Sequence, residues 1–398
     1  MKKFTIVLLA FISITLAAHA QWTQQSSGTP YDLSSVFFVD VNTGYAVGDV
    51  GTILKTTNGG TDWVGQTSGT LSYLKSVYFS DANTGYAVGD DGTILKTTNG
   101  GTDWVSQTSG TNQLLSCVWC TNTNIGYVTS SQLILKTTDG GTNWAPCYST
   151  SENYRFNSVF FTTVNTGYAV GYDWNNNLGI ILITSNSGAD WTAQLNGATT
   201  ELKSVFFVGA NTGYIAGEGH TILKTITGGV YWTTQTSATF SNLKSVYFTD
   251  DNTGYIACSG GEIQKTTDGG ALWTIQTNAA SYLYSVFFPD VNTGYAVGGG
   301  GLILKTSNGG TSSVENRVEK QLNIYPNPAS DIVTVSIPKT IKSGLILRIY
   351  NEAGELLRSE ILKRNQQKIK IGDLNNGVYL VEIRSGDWSE KQKLVVAR

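Results

Sequence analysis

The sequence predicts an all-β protein, a seven-bladed β-propeller closed by an N-terminal strand and followed by a small immunoglobulin-like β-sandwich. A Gly-Tyr pair followed by Ala, Ile or Val recurs seven times at a step of about 40 residues, which is the length of a blade of four short strands. A tryptophan recurs in nearly every unit, and the composition changes near residue 312. The repeated tripeptide begins at Gly44, Gly85, Gly126, Gly167, Gly213, Gly254 and Gly294.

Residues 1–20 are predicted to be a secretory signal peptide. Two lysines precede the apolar run Phe4–Leu16, and Ala18-His19-Ala20 supplies small residues for cleavage, so the mature chain would begin at Gln21. The apolar run is too short for a permanent span, and no later stretch reaches the about 20 apolar residues of a membrane helix. We therefore expect an exported chain without a transmembrane segment.

Charge and composition exclude several classes of function. Without the two leader lysines, 24 of the 26 basic residues remain against 29 acidic ones, and no basic stripe is present, so we predict no binding of nucleic acid. His220 is the only histidine of the mature chain, and Cys117 and Cys120 have no second pair of Cys or His ligands to complete a zinc site; hence we predict no metal and no cofactor. At most one disulfide is expected, in blade 3. The cysteines are Cys117, Cys120, Cys147 and Cys258.

Each repeat is predicted to form four antiparallel strands, A to D, joined by tight turns. In the first unit, strand A is Leu33–Phe38, strand B lies in Asp40–Gly48, strand C is Gly51–Thr56 and strand D starts at Trp63. Asn-Thr-Gly, Gly-Asp-x-Gly and Asn-Gly-Gly separate them, and these residues favour turns with positive φ. A lysine recurs in strand C, where a solvated ring is expected, at Lys55, Lys96, Lys136, Lys224, Lys265 and Lys305.

The seventh unit lacks its own strand D. It runs through Leu302–Thr306 and then continues as Thr311-Ser-Ser-Val without a tryptophan. Gln21–Gly28 copies the strand-D segment that starts at Trp63, yet no A, B or C strand precedes it. We predict that this N-terminal strand completes the last blade, because an open ring would expose a sheet edge and an apolar blade face.

Four segments resemble the Asp-box (BNR) repeat: Thr56–Trp63, Thr97–Trp104, Thr137–Trp144 and Thr266–Trp273. With the preceding Gly-Tyr-Ala-Val-Gly and Thr-Ile-Leu-Lys motifs, residues 22–312 more closely resemble propellers of the photosystem II stability/assembly factor type. The resemblance implies that the box shapes the C–D hairpin and that its Trp packs between strands. It identifies a fold, not an active site, and it leaves open an assembly factor for a membrane complex.

Asp-box propellers include sialidases and other glycoside hydrolases. A sialidase would need an arginine cluster to bind a carboxylate, but Arg155 is the only arginine of residues 21–314, so this activity is excluded. A general glycosidase needs two carboxylates about 5–10 Å apart. We predict a non-catalytic binding protein, with an extracellular polysaccharide hydrolase or lyase as the alternative. The carboxylates outside recurring turns are Glu152, Asp173, Glu201, Glu218 and Glu262.

The repeat is interrupted around blade 4, and we predict the ligand site there because loops that break a scaffold pattern carry function. The B–C loop is lengthened, the preceding D–A connection is one residue longer, and both emerge on one face. Aromatic rings beside Asn, Asp and Arg suit a protein or glycan ligand; alternatively, Trp174 only folds its own loop down. The candidate residues are Tyr148, Glu152, Tyr154, Arg155, Tyr172, Asp173 and Trp174.

Residues 322–398 are predicted to form a second domain, after the propeller at 21–311 and a polar linker at 312–321. Alternating apolar runs separated by Gly-containing turns predict a small antiparallel sandwich. From Tyr325-Pro-Asn-Pro328 to Lys393-Leu-Val-Val396, it closely resembles the C-terminal sorting domain (type A) of the type IX secretion system of Bacteroidetes. The resemblance implies that residues 322–398 engage this machinery, and that the protein is secreted or held at the outer-membrane surface.

Overall fold

The computed structural model describes residues 22–194, 197–310, 322–337, 345–351, 354–364, 366–385 and 388–398. The chain forms two compact units, Met1–Ser312 and Ser313–Arg398. Apart from two short 3-10 turns, Asp90–Gly92 and Gly299–Gly301, every regular element of the described residues is a β-strand, so the all-β prediction is confirmed. The predicted signal peptide and linker lie outside the described residues.

Seven four-stranded antiparallel sheets make up the described part of the first unit, one for each predicted blade. The strands of blades 1 to 3 are β2 (Leu33–Phe38), β3 (Gly44–Gly48), β4 (Ile53–Thr56), β5 (Val64–Gln66), β6 (Leu74–Phe79), β7 (Gly85–Gly89), β8 (Ile94–Thr97), β9 (Val105–Gln107), β10 (Leu115–Cys120), β11 (Gly126–Ser130), β12 (Leu133–Thr137) and β13 (Ala145–Ser149).

The strands of blades 4 to 7 are β14 (Tyr154–Phe161), β15 (Gly167–Asp173), β16 (Leu178–Thr184), β17 (Thr192–Gln194), β18 (Leu202–Phe207), β19 (Gly213–Gly217), β20 (Ile222–Thr225), β21 (Thr233–Gln235), β22 (Leu243–Phe248), β23 (Gly254–Cys258), β24 (Glu262–Thr266), β25 (Thr274–Asn278), β26 (Leu283–Phe287), β27 (Gly294–Gly298) and β28 (Ile303–Thr306).

The N-terminal strand β1 (Thr23–Gln25) is the outer strand of blade 7, as predicted. It pairs antiparallel with β28, with Thr23 opposite Lys305 and Gln25 opposite Ile303. Trp22, just before β1, is 4% exposed and meets the Phe288 ring edge-to-face at a centroid distance of 5.8 Å. The two ends of the repeat region are therefore joined in one sheet and one hydrophobic core.

A closed ring of aromatic side chains shows that the blades surround one axis. Each blade contributes one ring from its inner strand, and neighbouring centroids lie 4.4–5.3 Å apart all the way round, including 5.0 Å between Phe287 and Phe37. Tilted contacts at these distances are favourable for aromatic pairs. The members are Phe37, Tyr78, Trp119, Phe160, Phe206, Tyr247 and Phe287.

The inner strands are also linked by side-chain hydrogen bonds. In six seams, the backbone N–H of a valine donates to a serine Oγ of the preceding blade at 3.2–3.4 Å, as Val77 does to Ser35. These bonds satisfy N–H groups that the inner edge of each blade would otherwise leave unpaired. Cys117 takes the serine position of blade 3, and burial raises the pKa of its thiol. All four cysteines are free, so no bridge forms in blade 3.

The strand-C lysines fasten neighbouring blades, and the expectation that they form a solvated ring is wrong. In each of six seams, one backbone carbonyl of the next Asp-box turn accepts a lysine Nζ at 2.6–2.7 Å. The same carbonyl accepts the Oη of the Gly-Tyr tyrosine at 2.7–2.8 Å in most of them; Gly140, for example, accepts Tyr86 and Lys96. We call this arrangement the seam clamp.

The second unit is the predicted sandwich of two antiparallel sheets around one apolar core. One sheet has the order β29-β30-β33 and the other the order β32-β31-β34-β35. The strands are β29 (Asn323–Tyr325), β30 (Ile332–Ser336), β31 (Ile346–Tyr350), β32 (Leu356–Ile361), β33 (Gln366–Lys370), β34 (Gly377–Ser385) and β35 (Trp388–Val396).

Replacing Trp22 by Ala is expected to lower the free energy of unfolding of the propeller by about 3–5 kcal/mol, because it removes a buried indole at the point where the ring closes. Urea denaturation followed by tryptophan fluorescence measures the change. The matched control is Gln24→Ala, an exposed neighbour in the same strand, for which the change should stay within about 0.5 kcal/mol. Equal effects of both substitutions would contradict the closure by Trp22.

The seam clamp predicts non-additive substitutions. Tyr86→Phe and Lys96→Met should each cost about 1 kcal/mol, because the buried Gly140 carbonyl keeps one donor. Together they should cost about 1–3 kcal/mol more than the sum, because that carbonyl then loses both donors. Denaturation of the four proteins of the cycle measures the coupling. In the control cycle, Tyr86→Phe with Lys305→Met, which acts in another seam, should be additive.

Candidate functional site

A central cavity of about 450 Å³ opens where the D–A and B–C loops meet. Its wall includes the same position of every inner strand, three residues before the aromatic ring in each blade. Asp32, Asp49, Tyr73, Leu114 and Arg155 complete the wall. The seven inner-strand residues are Ser34, Lys75, Ser116, Asn157, Lys203, Lys244 and Tyr284.

Blades 4 to 6 place three cations on the cavity wall, and two neighbouring carboxylates offset part of their charge. Lys203 Nζ lies 2.7 Å from a carboxylate oxygen of Glu201 and 3.2 Å from one of Glu218. Arg155 lies 4.0 Å from Glu201, and Lys244 lies 3.9 Å from Glu218. Burial lowers the pKa of Lys244, and the neighbouring Lys203 lowers it further. The three cations therefore share two carboxylates.

Glu201 joins blade 4 to blade 5 at this wall. Its side chain is buried, and its carboxylate accepts the Asn157 Nδ2 at 2.8 Å. The same amide nitrogen donates to the Leu202 carbonyl at 2.8 Å. Burial alone would raise the pKa of Glu201, but the hydrogen bonds from Lys203 and Asn157 and the nearby charges bring it below 4.5. Glu201 is thus a charged carboxylate that holds the two blades together.

The opposite wall, from blades 7, 1 and 2, holds two carboxylates. Asp32 accepts the Tyr284 Oη at 3.1 Å and the Gly300 N–H at 2.7 Å. Asp49 lies 3.8 Å from Lys75 Nζ. Burial raises the pKa of Asp49, Lys75 opposes the rise, and the charge of Asp32 adds to it. Burial and the Asp32 charge raise the pKa of Tyr284 to about 12.

The extra residues of blade 4 extend its strands rather than its B–C loop. β14, β15 and β16 are longer than their counterparts, and Tyr154 pairs with Asp173 while Arg155 pairs with Tyr172. Arg155 reaches the central cavity. Tyr154 instead faces the other side of this sheet and meets Phe156 edge-to-face at 6.0 Å. Tyr148, from β13 of blade 3, meets the same ring edge-to-face at 5.7 Å.

The tip of this hairpin is held by its own side chains. Asp173 is buried and accepts the Asn175 N–H at 2.9 Å and the Asn176 Nδ2 at 2.7 Å. Glu152 accepts the Asn175 Nδ2 at 2.8 Å. Trp174 meets Tyr172 edge-to-face at 4.9 Å and remains 49% exposed. Of the seven candidate residues, Glu152 and Trp174 are exposed, Tyr148, Tyr154, Arg155 and Tyr172 are half-buried, and Asp173 is buried.

Sequence reasoning missed most of the cavity wall. Lys203 and Lys244 follow the first residue of strand A in a Leu-Lys-Ser-Val run that also occurs in blade 2, so they resemble scaffold residues. The available signal was variation: the position reads Ser, Lys, Ser, Asn, Lys, Lys and Tyr through the seven blades, between nearly constant neighbours. Asp32 directly precedes strand A, at a position that also varies between the repeats and carries the second acidic residue, Glu201, in blade 5; these charges were a second signal.

No described group of His, Cys, Asp and Glu side chains has the arrangement to hold a metal ion. No described element is a helix long and apolar enough to cross a membrane.

The contribution of Glu201 to stability should depend on pH. Because its folded-state pKa lies below 4.5, the carboxylate stabilises the fold fully above that value and loses the effect as the pH falls through the folded-state pKa. Glu201→Gln should therefore be less stable than the parent protein at pH 7, with a difference that shrinks below pH 4.5. Urea denaturation across this range measures it; a difference that stayed constant with pH would contradict the charged role.

Two family models match parts of the chain. Residues 14–114 match the model described as photosynthesis system II assembly factor YCF48. Residues 323–397 match the secretion system C-terminal sorting domain. No curated protein matches the sequence.

Solved structures share the propeller fold at low identity. YCF48 bound to D1 peptide has 18% identity and a TM-score of 0.62, over 73% of this chain and 98% of that chain. The GH74 xyloglucanase from Xanthomonas campestris has 11% identity and a TM-score of 0.62, over 79% and 59%. PorZ of Porphyromonas gingivalis, a surface component of the type-IX secretion system, has 13% identity and a TM-score of 0.52, over 90% and 58%.

Sequence identities this low establish only a shared fold. The family models and the repeat motifs indicate which families the two units resemble. The first unit is a β-propeller in which residues 14–114 resemble the photosystem II assembly factor family, and residues 323–397 resemble secretion system C-terminal sorting domains.

Proposed function

We propose that this protein is exported by the type IX secretion system and acts at the cell surface, or after release, as a non-catalytic binding protein for a protein or glycan ligand. The match of residues 323–397 to the sorting domain supports the route. The observation that supports binding is the central cavity, whose wall varies from blade to blade while the surrounding repeat is nearly constant. Such variation on a rigid scaffold is typical of recognition surfaces.

The predicted site at blade 4 extends this cavity outward. Arg155 belongs to the cavity wall, and its cross-strand neighbour Tyr172 supports the half-exposed Trp174. We propose that a ligand contacts these three side chains as well as the cavity. Tyr148, Glu152, Tyr154 and Asp173 act behind them, by packing and by fixing the hairpin. The D1 peptide bound to YCF48 is a precedent for ligand binding by a similar propeller.

A hydrolase is the second candidate, and one observation favours it. Asp32 and Asp49 face the same cavity, and the pKa of Asp49 is raised, as the acid of a glycosidase requires. GH74 enzymes share the propeller fold. Against this candidate, Asp32 is already engaged by Tyr284 and Gly300, and Asp49 by Lys75. Both carboxylates therefore have structural partners within the cavity wall.

The proposed export route can be tested by comparing two proteins. The full chain, expressed in a bacterium with a type IX secretion system, should be found at the surface or in the medium. A chain that ends at Ser312 should stay inside the cells, because it lacks the sorting domain. Immunoblots of cell fractions measure the distribution. Equal export of both chains would contradict the proposed route.

The exported protein also separates binding from hydrolysis. Incubated with neutral and acidic polysaccharides, it should release no new reducing ends. Release that is abolished by Asp49→Asn, and retained by the matched variant Asp91→Asn outside the cavity, would establish the hydrolase instead.

A further inference from the structure

We infer that the central cavity is a binding site for a neutral glycan, held by the paired charged groups of its wall and by the ring of Tyr73. This inference rests on the proposed function and specifies its ligand. Three observations carry it: the balance of charge in the cavity, the way its polar groups are held, and the exposed ring of Tyr73 in its wall.

The charges of the cavity are balanced. Four cations line it, and each lies within 4.0 Å of a carboxylate of Asp49, Glu201 or Glu218. Asp32 brings the number of carboxylates to four, equal to the number of cations. A polyanion or a polycation would gain no net attraction here and would have to displace an existing partner. The cations are Lys75, Arg155, Lys203 and Lys244.

The polar groups of the cavity wall are held in place, and they can still form further hydrogen bonds. Glu201 is fixed by Lys203 and Asn157, and Asp32 by Tyr284 and the Gly300 N–H. An ammonium has three donors and a carboxylate about four acceptor positions, so each pair can accept a further partner without separating. A sugar hydroxyl donates and accepts at once, and it can therefore bridge such a pair.

Two aromatic side chains line the cavity. Tyr73 belongs to its wall and is 45% exposed, and Tyr284 belongs to the same wall. Tyr31 and Tyr282, from the D–A loops before blades 1 and 7, and Trp174 at blade 4 are exposed outside this wall. Flat apolar faces with a polar edge match the C–H face of a pyranose ring. The volume of about 450 Å³ is in the range of small-molecule sites.

A peptide fits this cavity less well. An extended peptide would bind a propeller axis most simply by pairing with the inner edge of a blade. In six seams, however, a serine Oγ of the preceding blade already accepts a valine N–H of that edge, as Ser76 does from Val118. One backbone N–H that a peptide strand would need is thus occupied in each of these blades.

The test measures binding of the full-length exported protein to an array of neutral and anionic glycans, at about 0.05 M and 0.5 M NaCl. Binding of a neutral glycan should change less than about twofold between the two, because no net charge is screened. Tyr73→Ala and Lys244→Gln should each weaken it about tenfold or more. The matched control is Tyr231→Ala, an exposed tyrosine in a C–D turn on the opposite face, which should leave affinity unchanged.

Several results would overturn the inference. Binding only to anionic glycans, with affinity that falls more than about tenfold in the higher salt, would show an anion site. Capture of protein partners without any neutral glycan on the array would show a protein site. Neutral-glycan binding that survives both cavity substitutions would place the site elsewhere. In these cases the proposed binding function stands, whereas cleavage of the bound glycan would overturn that function too. Unchanged melting temperatures show that the variants are folded.

Discussion

The whole propeller depends on one repeated interaction, the seam clamp, in which a backbone carbonyl of an Asp-box turn accepts a tyrosine and a lysine of the preceding blade. It is a reason for the second glycine of the box: a Cβ on Gly101 would lie 2.8 Å from the Tyr45 ring. Each lysine also lies over the ring of its tyrosine, with Nζ 5.5–5.9 Å from the centroid. Lys265 is only 7% exposed, and burial lowers its pKa. Carbonyl and ring together compensate for the lost hydration.

Blade 4 is the exception to the seam clamp. Ile183 stands where the other blades have the clamp lysine, so the Gly228 carbonyl has Tyr168 as its side-chain donor. The next box is also altered, with Thr227 in place of Asn or Asp. The same seam is joined at the opposite face by Glu201 with Asn157, Lys203 and Arg155. One arginine therefore contributes to the seam and to the cavity wall at once.

The fold could be predicted from the sequence because each blade is formed by residues that are close together in the chain. Repeat length, turn residues and a misplaced strand-D segment suffice to give seven blades and the closure by Trp22. Contacts between blades join residues far apart in the chain and could not be predicted in this way. The clamp joins Lys55 to a turn 45 residues later, and strand alternation says only that a lysine faces outward from its own sheet. Similarly, the extra residues of blade 4 were visible, but their pairing into a longer hairpin depends on the neighbouring strand β14.

The sorting domain shows how two distant sequence motifs can form one structural feature. The Asn327 side chain donates from Nδ2 to the Lys393 carbonyl at 2.7 Å and accepts the Val395 N–H at 2.8 Å, as a neighbouring β-strand would. Ala329 continues this pairing beside Val396. The Tyr-Pro-Asn-Pro segment therefore covers the edge of the last strand, which would otherwise expose backbone groups that favour aggregation. Because both motifs are needed for one covered edge, their joint occurrence at the two ends of residues 323–397 follows from folding. Recognition by the secretion machinery can then act on a surface that this edge keeps in place.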